Sequence, residues 1–91
     1  MEIILDGALM TDRTAVHDLL AEKFGFPDYY GRNLDGLYDL LTEISEPVEI
    51  RISHAAQMEL LLGPYAGLLI DTLHDAQRSN PNLTVTITAN N

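Results

Sequence analysis

The chain contains no cysteine, few basic residues and no long apolar run. Without cysteine, neither a disulfide nor a thiolate-bound metal can form, so the fold does not depend on an oxidising compartment. No apolar run approaches the length of a membrane span, and the first residues lack the basic region of a signal peptide. These absences predict a cytoplasmic protein that has no membrane partner.

The shortage of basic residues leaves the chain strongly acidic. Five lysines and arginines stand against 14 aspartates and glutamates, which gives a formal net charge of −9. Nucleic acids and anionic lipids bind basic surfaces, so the charge argues against both as partners. An acidic surface suits a basic protein partner, which long-range attraction would bring in quickly. Acidic residues also serve solubility alone, and the charge by itself leaves these two interpretations open.

The remaining composition is that of a globular protein, with 46% hydrophobic and 21% charged residues. A chain of 91 residues has no room for two independent hydrophobic cores. We therefore expect residues 1–91 to form a single domain.

Hydrophobic periodicity predicts three strands separated by pairs of helices. The strands are expected at residues 2–5, 48–52 and 83–89, and the helices at residues 12–24, 33–44, 54–62 and 64–78. Thr11 or Asp12 is predicted to cap the first helix, and Gly25 to end it. Asn33 is predicted to cap the second helix and Ser53 the third. Strands joined through helix pairs are parallel, so the order β-α-α-β-α-α-β predicts an α/β fold with a small three-stranded parallel sheet packed with helices. The sequence does not determine the order of the strands within the sheet.

The most informative stretch is the predicted second helix, because its two faces differ in chemistry. Leu34, Leu37 and Leu41 recur at helical spacing and form an apolar stripe. Asp35 and Asp39 lie one turn apart on another face. Two carboxylates at this spacing repel each other by roughly 0.2–0.5 kcal/mol in an isolated helix.

Other residues of the same helix add to its cost. Gly36 is less favourable than alanine in a helix interior by about 1 kcal/mol, and no lysine or arginine lies between Asn33 and Ile44. Thr42 shares the acidic face, and Tyr38 lies at its edge. A helix with these penalties is not built for its own stability, so we expect another molecule to approach the acidic face.

An enzyme could use Asp35 and Asp39 as a general acid and base, or as ligands of Mg²⁺. Such pairs normally lie in a pocket with a nucleophile or a base of shifted pKa. The sequence has no cysteine and no glycine-rich phosphate loop, so an enzyme, a cofactor and a metal site are all disfavoured. His17, His54 and His74 lie on separate predicted helices without a partner at metal-ligand spacing, and we expect them at the surface or at helix termini.

The stretch from Phe26 to Thr42, FPDYYGRNLDGLYDLLT, resembles the core motif of the barstar family of ribonuclease inhibitors. The matching positions are Pro27, Tyr29, Tyr30, Gly31, Asn33, Leu34, Asp35, Leu37, Asp39, Leu41 and Thr42. The resemblance implies a barstar-like domain that acts inside the cell as an inhibitor, not as an enzyme. Its implied partner is a basic, extracellular-type microbial ribonuclease, barnase-like and guanyl-specific, bound as a 1:1 complex. The alternatives are a non-inhibitory acidic interaction or regulatory module, and an immunity protein against a ribonuclease toxin domain.

The resemblance also implies which residues meet the ribonuclease and how. A carboxylate offers the same kind of paired acceptor oxygens as an RNA phosphate, so the acidic helix would block the active site by mimicry. Asp39 would enter the catalytic basic cluster, Asp35 would pair with a neighbouring arginine, and Tyr29 would lie near the catalytic histidine. The expected partner-binding residues are Tyr29, Asn33, Asp35, Gly36, Tyr38, Asp39, Thr42, Glu43 and Asp75.

Three positions depart from the best-known member of that family or need comment. Tyr38 stands where that member has tryptophan, and Glu43 stands where it has glycine. Glu43 adds charge and bulk near the docking face, so we expect a cognate enzyme that differs from barnase in shape and arginine placement. The Glu46–Pro47 bond aligns with a cis-proline, and the resemblance implies a cis peptide here.

Overall fold

A computed structural model describes residues 1–90 and contains one sheet of three parallel strands. The strands are β1 (Glu2–Asp6), β2 (Val48–Ser53) and β3 (Leu83–Ile87), hydrogen-bonded in the order β1-β2-β3. All pairing is parallel, as expected for strands joined through helices. The predicted α/β fold with a three-stranded parallel sheet is therefore confirmed, and the structure adds the strand order.

Four helices connect the strands in two pairs, as predicted. They are α1 (Arg13–Phe24), α2 (Leu34–Thr42), α3 (Ala55–Leu62) and α4 (Pro64–Ser79). The ends of α1 follow local rules, since the Asp12 side chain accepts a hydrogen bond from the Ala15 N–H at 2.8 Å and Gly25 ends the helix at φ 65°. Among residues 1–90, no helix combines the length and the apolar character needed to cross a membrane.

The core lies between one face of the sheet and the helices. Alternate strand residues such as Ile3, Leu5 and Ile50 are buried, whereas their neighbours Ile4 and Arg51 are exposed. This alternation means that the helices cover only one face of the sheet. The helix α2 joins the core through the fully buried side chains of Leu37 and Leu41, with Leu34 partly buried, and its acidic face is left outward.

A short 3₁₀ turn (Gly7–Leu9) after β1 was not predicted. The Asp6 carboxylate accepts a hydrogen bond from the Ala8 N–H at 2.9 Å and so starts the turn. A Cβ atom at Gly7 would lie 2.4 Å from the carbonyl oxygen of His54, so only glycine fits where the turn crosses the start of α3.

Two details of the sequence prediction are wrong. Ser53 does not cap α3, because it continues β2 and pairs with Asp6 of β1. His54 takes the N-cap position with a positive φ of 54° and no side-chain cap.

No residue from 1 to 90 follows a cis peptide, so the Glu46–Pro47 bond is trans. The trans form is the preferred ground state by about 0.5–1 kcal/mol even before proline.

Candidate partner-binding site

The N-terminus of α2 is fixed by Asn33. Its Oδ1 accepts a hydrogen bond from the Gly36 N–H at 2.7 Å, and its Nδ2 donates to the Gly31 carbonyl at 3.2 Å. The first contact satisfies a backbone N–H that the helix leaves unpaired. Asp35 lies in the first turn, where its negative charge meets the positive end of the helix dipole. The local sequence therefore sets both the start of the helix and the place of its first carboxylate.

Replacing Asn33 with alanine is expected to lower the free energy of unfolding by about 1 kcal/mol, since the cap is lost and its N–H partner is left to water. Asn33→Asp keeps the acceptor oxygen and serves as the matched control. Urea unfolding followed by circular dichroism measures both variants. Equal losses in the two variants would contradict the role of the cap.

The C-terminus of α2 is fixed by Asn80, which follows α4 and is only 4% exposed. Its Nδ2 donates to the carbonyl oxygens of Leu41 at 3.0 Å and Ile44 at 2.9 Å. Its Oδ1 accepts from the Asn82 N–H at 3.0 Å. One buried amide thus ties the end of α2 to the turn before β3, so the acidic helix is held at both ends.

The outward face of α2 carries three carboxylates, those of Asp35, Asp39 and Glu43, and all three residues are exposed. Within the described residues 1–90, none of these side chains forms a hydrogen bond or an ion pair. The arginines are engaged elsewhere, namely Arg32 with Asp18, Arg51 with Glu2 and Glu49, Arg78 with Asp75, and Arg13 with the ring of Tyr65. The acidic face therefore keeps its charge available for a partner.

The position of Arg32 affects how much negative charge the acidic face presents to a partner. It is the basic residue nearest to α2 in the sequence, and a pair with Asp35 would have cancelled part of the acidic face. Its positive φ of 53° instead belongs to a loop that directs the guanidinium to Asp18 on α1. The structure thus separates the basic residue from the acidic helix that follows it.

A groove of about 300 Å³ runs between α2 and the loop before it. Its lining residues are Tyr29, Tyr30, Gly31, Gly36, Asp39, Leu40 and Glu43. Tyr29 is 81% exposed and stands at the rim. A Cβ at Gly36 would lie 3.2 Å from Asn33 Oδ1 and 3.6 Å from Tyr30, so glycine allows the loop to lie close against the helix. The fold brings four predicted site residues, Tyr29, Gly36, Asp39 and Glu43, to one groove.

Comparison with known proteins agrees with this arrangement. The sequence profile of the family described as Barstar (barnase inhibitor) matches residues 1–89. The chain belongs to the barstar family. A Bacillus subtilis (strain 168) protein named "Putative ribonuclease inhibitor YrdF" is 38% identical over 77 residues, which cover 84% of this chain and 85% of that protein. Membership of the barstar family places the chain among inhibitors rather than enzymes, and it supports a role like that of a ribonuclease inhibitor with a ribonuclease as partner.

Three predicted site residues of this barstar family member, Tyr38, Thr42 and Asp75, lie outside the groove and form hydrogen bonds or an ion pair within the chain. The Tyr38 hydroxyl lies 2.7 Å from Ser79 Oγ, and its half-buried ring packs against the core. Thr42 Oγ1 donates to the backbone carbonyls of Tyr38 and Asp39, each at 3.0 Å. Asp75 pairs with Arg78 at the surface, where such a pair contributes little stability and is easily exchanged. Partner contact stays a prediction at all nine of the predicted site residues.

The expectation that His17 lies at the surface is wrong. The side chain is 1% exposed and lies between two tyrosines, with Nε2 2.7 Å from the Tyr65 hydroxyl and Nδ1 bonded to the Tyr30 hydroxyl. A signal was present, because His17, Leu20 and Phe24 follow the i, i+3, i+7 spacing of the buried face of α1. The partners could not be found from the sequence, since they lie 13 and 48 residues away.

Proposed function

We propose that this protein inhibits a basic microbial ribonuclease by inserting the acidic face of α2 into the active site. The complex is 1:1, and the inhibitor acts in the cytoplasm of the cell that makes the enzyme. One observation carries the proposal: Asp35, Asp39 and Glu43 are exposed carboxylates without a counter-charge among residues 1–90, beside a groove with Tyr29 at its rim. In a member of an inhibitor family, an unpaired acidic face favours binding of a cationic partner.

The chemistry follows from what a ribonuclease must do with RNA. Its active site holds phosphates with arginine, lysine and histidine, and a carboxylate can accept the same paired hydrogen bonds. Asp39 lines the groove and is the proposed occupant of that cationic site. Asp35 lies one turn before it, at roughly 5–6 Å between Cβ atoms, and is placed for a second arginine. Tyr29 offers its exposed ring for stacking on a planar side chain of the enzyme.

Rigidity supports tight binding through this helix. Asn33 and Asn80 hold its two ends, and Leu37 and Leu41 are fully buried beneath it. A partner therefore orders few additional groups on binding, which reduces the entropic cost of association. Among residues 1–90 no side chain pairs with the exposed carboxylates, so binding a partner breaks no such pair.

The test is inhibition of RNA cleavage. The purified protein is added to barnase, and separately to a second basic guanyl-specific microbial ribonuclease, with a fluorogenic RNA substrate at neutral pH. We expect cleavage to stop at one equivalent for at least one of the two enzymes. A complex that forms while cleavage continues would indicate a non-inhibitory interaction module. Full activity of both enzymes without a complex would contradict the proposal.

The association rate is expected to fall with salt, because a net charge of −9 attracts a basic enzyme over a long range. The Debye length shrinks from about 30 Å at about 0.01 M salt to about 3 Å at about 1 M. Over this range we expect at least about a tenfold decrease in the association rate. Stopped-flow fluorescence measures this rate, with association in sucrose of matched viscosity as the control. An association rate that does not change with salt would contradict electrostatic steering.

A further inference from the structure

His17 joins the three parts of the structure that surround the groove loop. The imidazole comes from α1, the Tyr30 hydroxyl comes from the loop before α2, and the Tyr65 hydroxyl comes from the first turn of α4. Each ring nitrogen of His17 therefore has its own tyrosine partner. This buried histidine has no task in the proposed inhibition, and it does not belong to the acidic face.

Tyr30 carries the effect of His17 to the groove. It lines the groove and is the direct neighbour of the exposed Tyr29. Its ring packs on Phe26 with 4.8 Å between ring centroids, and its N–H donates to the Pro27 carbonyl at 3.0 Å. The side chain of Tyr30 thus anchors the whole loop from Phe26 to Gly31. Without the bond to His17, the loop would keep the aromatic contact, the Phe26 N–H bond to the Ala21 carbonyl and the surface pair of Arg32 with Asp18, but it would lose its buried side-chain bond to α1.

The two tyrosine bonds suit a neutral imidazole. A neutral ring has one N–H donor and one bare nitrogen acceptor, so one tyrosine accepts from His17 and the other donates to it. Protonation turns both nitrogens into donors. The tyrosine that had donated then loses its acceptor on His17, and a buried hydroxyl hydrogen left without an acceptor is costly.

The charges around His17 also disfavour protonation. Arg32 faces it from the loop, Asp18 from its own helix, and Arg13 lies over the Tyr65 ring, 4.5 Å from the centroid. Asp18 is already paired with Arg32. Burial lowers the pKa of His17 below its usual value of 6.5, the positive Arg32 lowers it further, and Asp18 opposes both. Burial likewise raises the pKa of Tyr30, so both hydroxyls stay protonated.

We propose that neutral His17 is the positioning residue that holds Tyr30, and with it Tyr29 and the groove, in the shape that the partner binds, and that protonation of its imidazole releases this loop. The part of the inference that concerns the partner rests on the proposed function. The part that concerns the loop does not. The simplest escape for a charged imidazole is withdrawal of Tyr30, because this admits water without dismantling the sheet.

The sign of the pH dependence follows from linkage. Since the closed structure binds the proton less well than the open loop, the closed state is most favoured above pH 6.5 and loses stability as the pH falls below that value. The equilibrium constant for loop opening then rises by up to about tenfold per pH unit, until the pH reaches the pKa of the closed state. Partner binding weakens only below that lower pKa, because the open loop must first be populated.

Amide hydrogen exchange of the free protein measures loop opening, after correction for the intrinsic pH dependence of exchange. Between about pH 7.5 and pH 5.5 we expect protection of residues 26–32 to fall by up to about tenfold in the native protein. In His17→Gln, which keeps a donor and an acceptor but does not titrate, the change should stay within about twofold. His74→Gln removes a half-exposed histidine of α4 and should keep the native profile.

Binding to barnase is then measured by calorimetry at about pH 8 and about pH 4.5. The ratio of the two Kd values should be larger for the native protein than for His17→Gln, by up to about tenfold for each pH unit below the pKa of the closed state. If His17→Gln does not fold by circular dichroism, Tyr30→Phe, which keeps the ring and removes the hydroxyl, should show the same flattened exchange profile. Identical profiles in the native protein and the folded variant would overturn the inference. If barnase does not bind at pH 8, the calorimetry uses the ribonuclease that the protein inhibits, and hydrogen exchange would still decide the role of His17.

Discussion

Replacing Asp39 with alanine is expected to weaken binding to the ribonuclease more than any other single change on the surface. Asp39 lines the groove, and no basic side chain among residues 1–90 pairs with it. In the proposed complex its carboxylate is buried against the cationic site of the enzyme. Removal of one partner from such a hydrogen-bonded charge pair costs about 2–5 kcal/mol, which is roughly 30-fold to 5,000-fold in Kd.

Calorimetry or surface plasmon resonance measures this loss, and Asp71→Ala is the matched control. Asp71 is also an exposed helical aspartate, but it lies on α4. The control removes the same charge from the net total and should change Kd by less than about threefold, because only long-range attraction is affected. Similar Kd values for Asp39→Ala and Asp71→Ala would contradict the site assignment. The free energy of unfolding should change little in both variants, since neither carboxylate forms an ion pair among residues 1–90, and in Asp39→Ala the loss of repulsion with Asp35 should raise it by roughly 0.2–0.5 kcal/mol.

Replacing Asn80 with alanine is expected to have the largest effect on stability of the polar substitutions considered. The change removes the donors to the Leu41 and Ile44 carbonyls and the acceptor for the Asn82 N–H. The site is 4% exposed, so water does not easily replace these bonds. With about 1–3 kcal/mol for a buried polar group left unpaired, we expect the free energy of unfolding to fall by about 2–4 kcal/mol.

Urea unfolding measures this effect, with Asn90→Ala as the control. Asn90 is exposed near the end of the chain, and its replacement should change stability by less than about 0.5 kcal/mol. Asn80→Asp should be as destabilising as Asn80→Ala, because a carboxylate cannot donate to the two carbonyls. A stability of Asn80→Ala within error of the native value would show that the end of α2 is held by other contacts.

The sequence was sufficient where structure depends on local chemistry. Helix ends at Asp12, Gly25 and Asn33 were predicted because caps and left-handed glycines act within a few residues. Strand and helix types followed from hydrophobic periodicity, and the acidic face of α2 followed from the spacing of Asp35 and Asp39. These features do not depend on which distant segment comes to lie beside them.

Features that depend on distant contacts could not be predicted. Asn80 reads as part of an Asn-Pro-Asn turn, and only the fold shows that its side chain reaches back to α2. His17 reads as one polar residue of an amphipathic helix, whereas its surroundings are supplied by tyrosines 13 and 48 residues away. The misassigned cap at Ser53 has the same origin, since pairing with Asp6 extended the strand over a residue whose own preference is for a cap.

The candidate site shows the same division. The carboxylates were identified from spacing, and Tyr29 from the resemblance to a known motif. The groove was not, because it exists only where the loop and α2 meet across Gly36. The pairing of Arg32 with Asp18 likewise could not be predicted from the sequence, although it keeps the positive charge of Arg32 from cancelling part of the acidic face. Only the fold therefore shows which of the predicted site residues line the groove and which hold the helix in place.

Displacement of a nucleotide from the ribonuclease tests the central claim most directly. Barnase, or another guanyl-specific ribonuclease that the protein inhibits, is saturated with guanosine 3′-monophosphate, and the protein is then titrated in while nucleotide fluorescence or NMR signals are followed. If the acidic face of α2 fills the phosphate site, the nucleotide is released in proportion to complex formed, and Asp39→Ala releases far less at the same concentration. A ternary complex that retains its nucleotide would contradict the account.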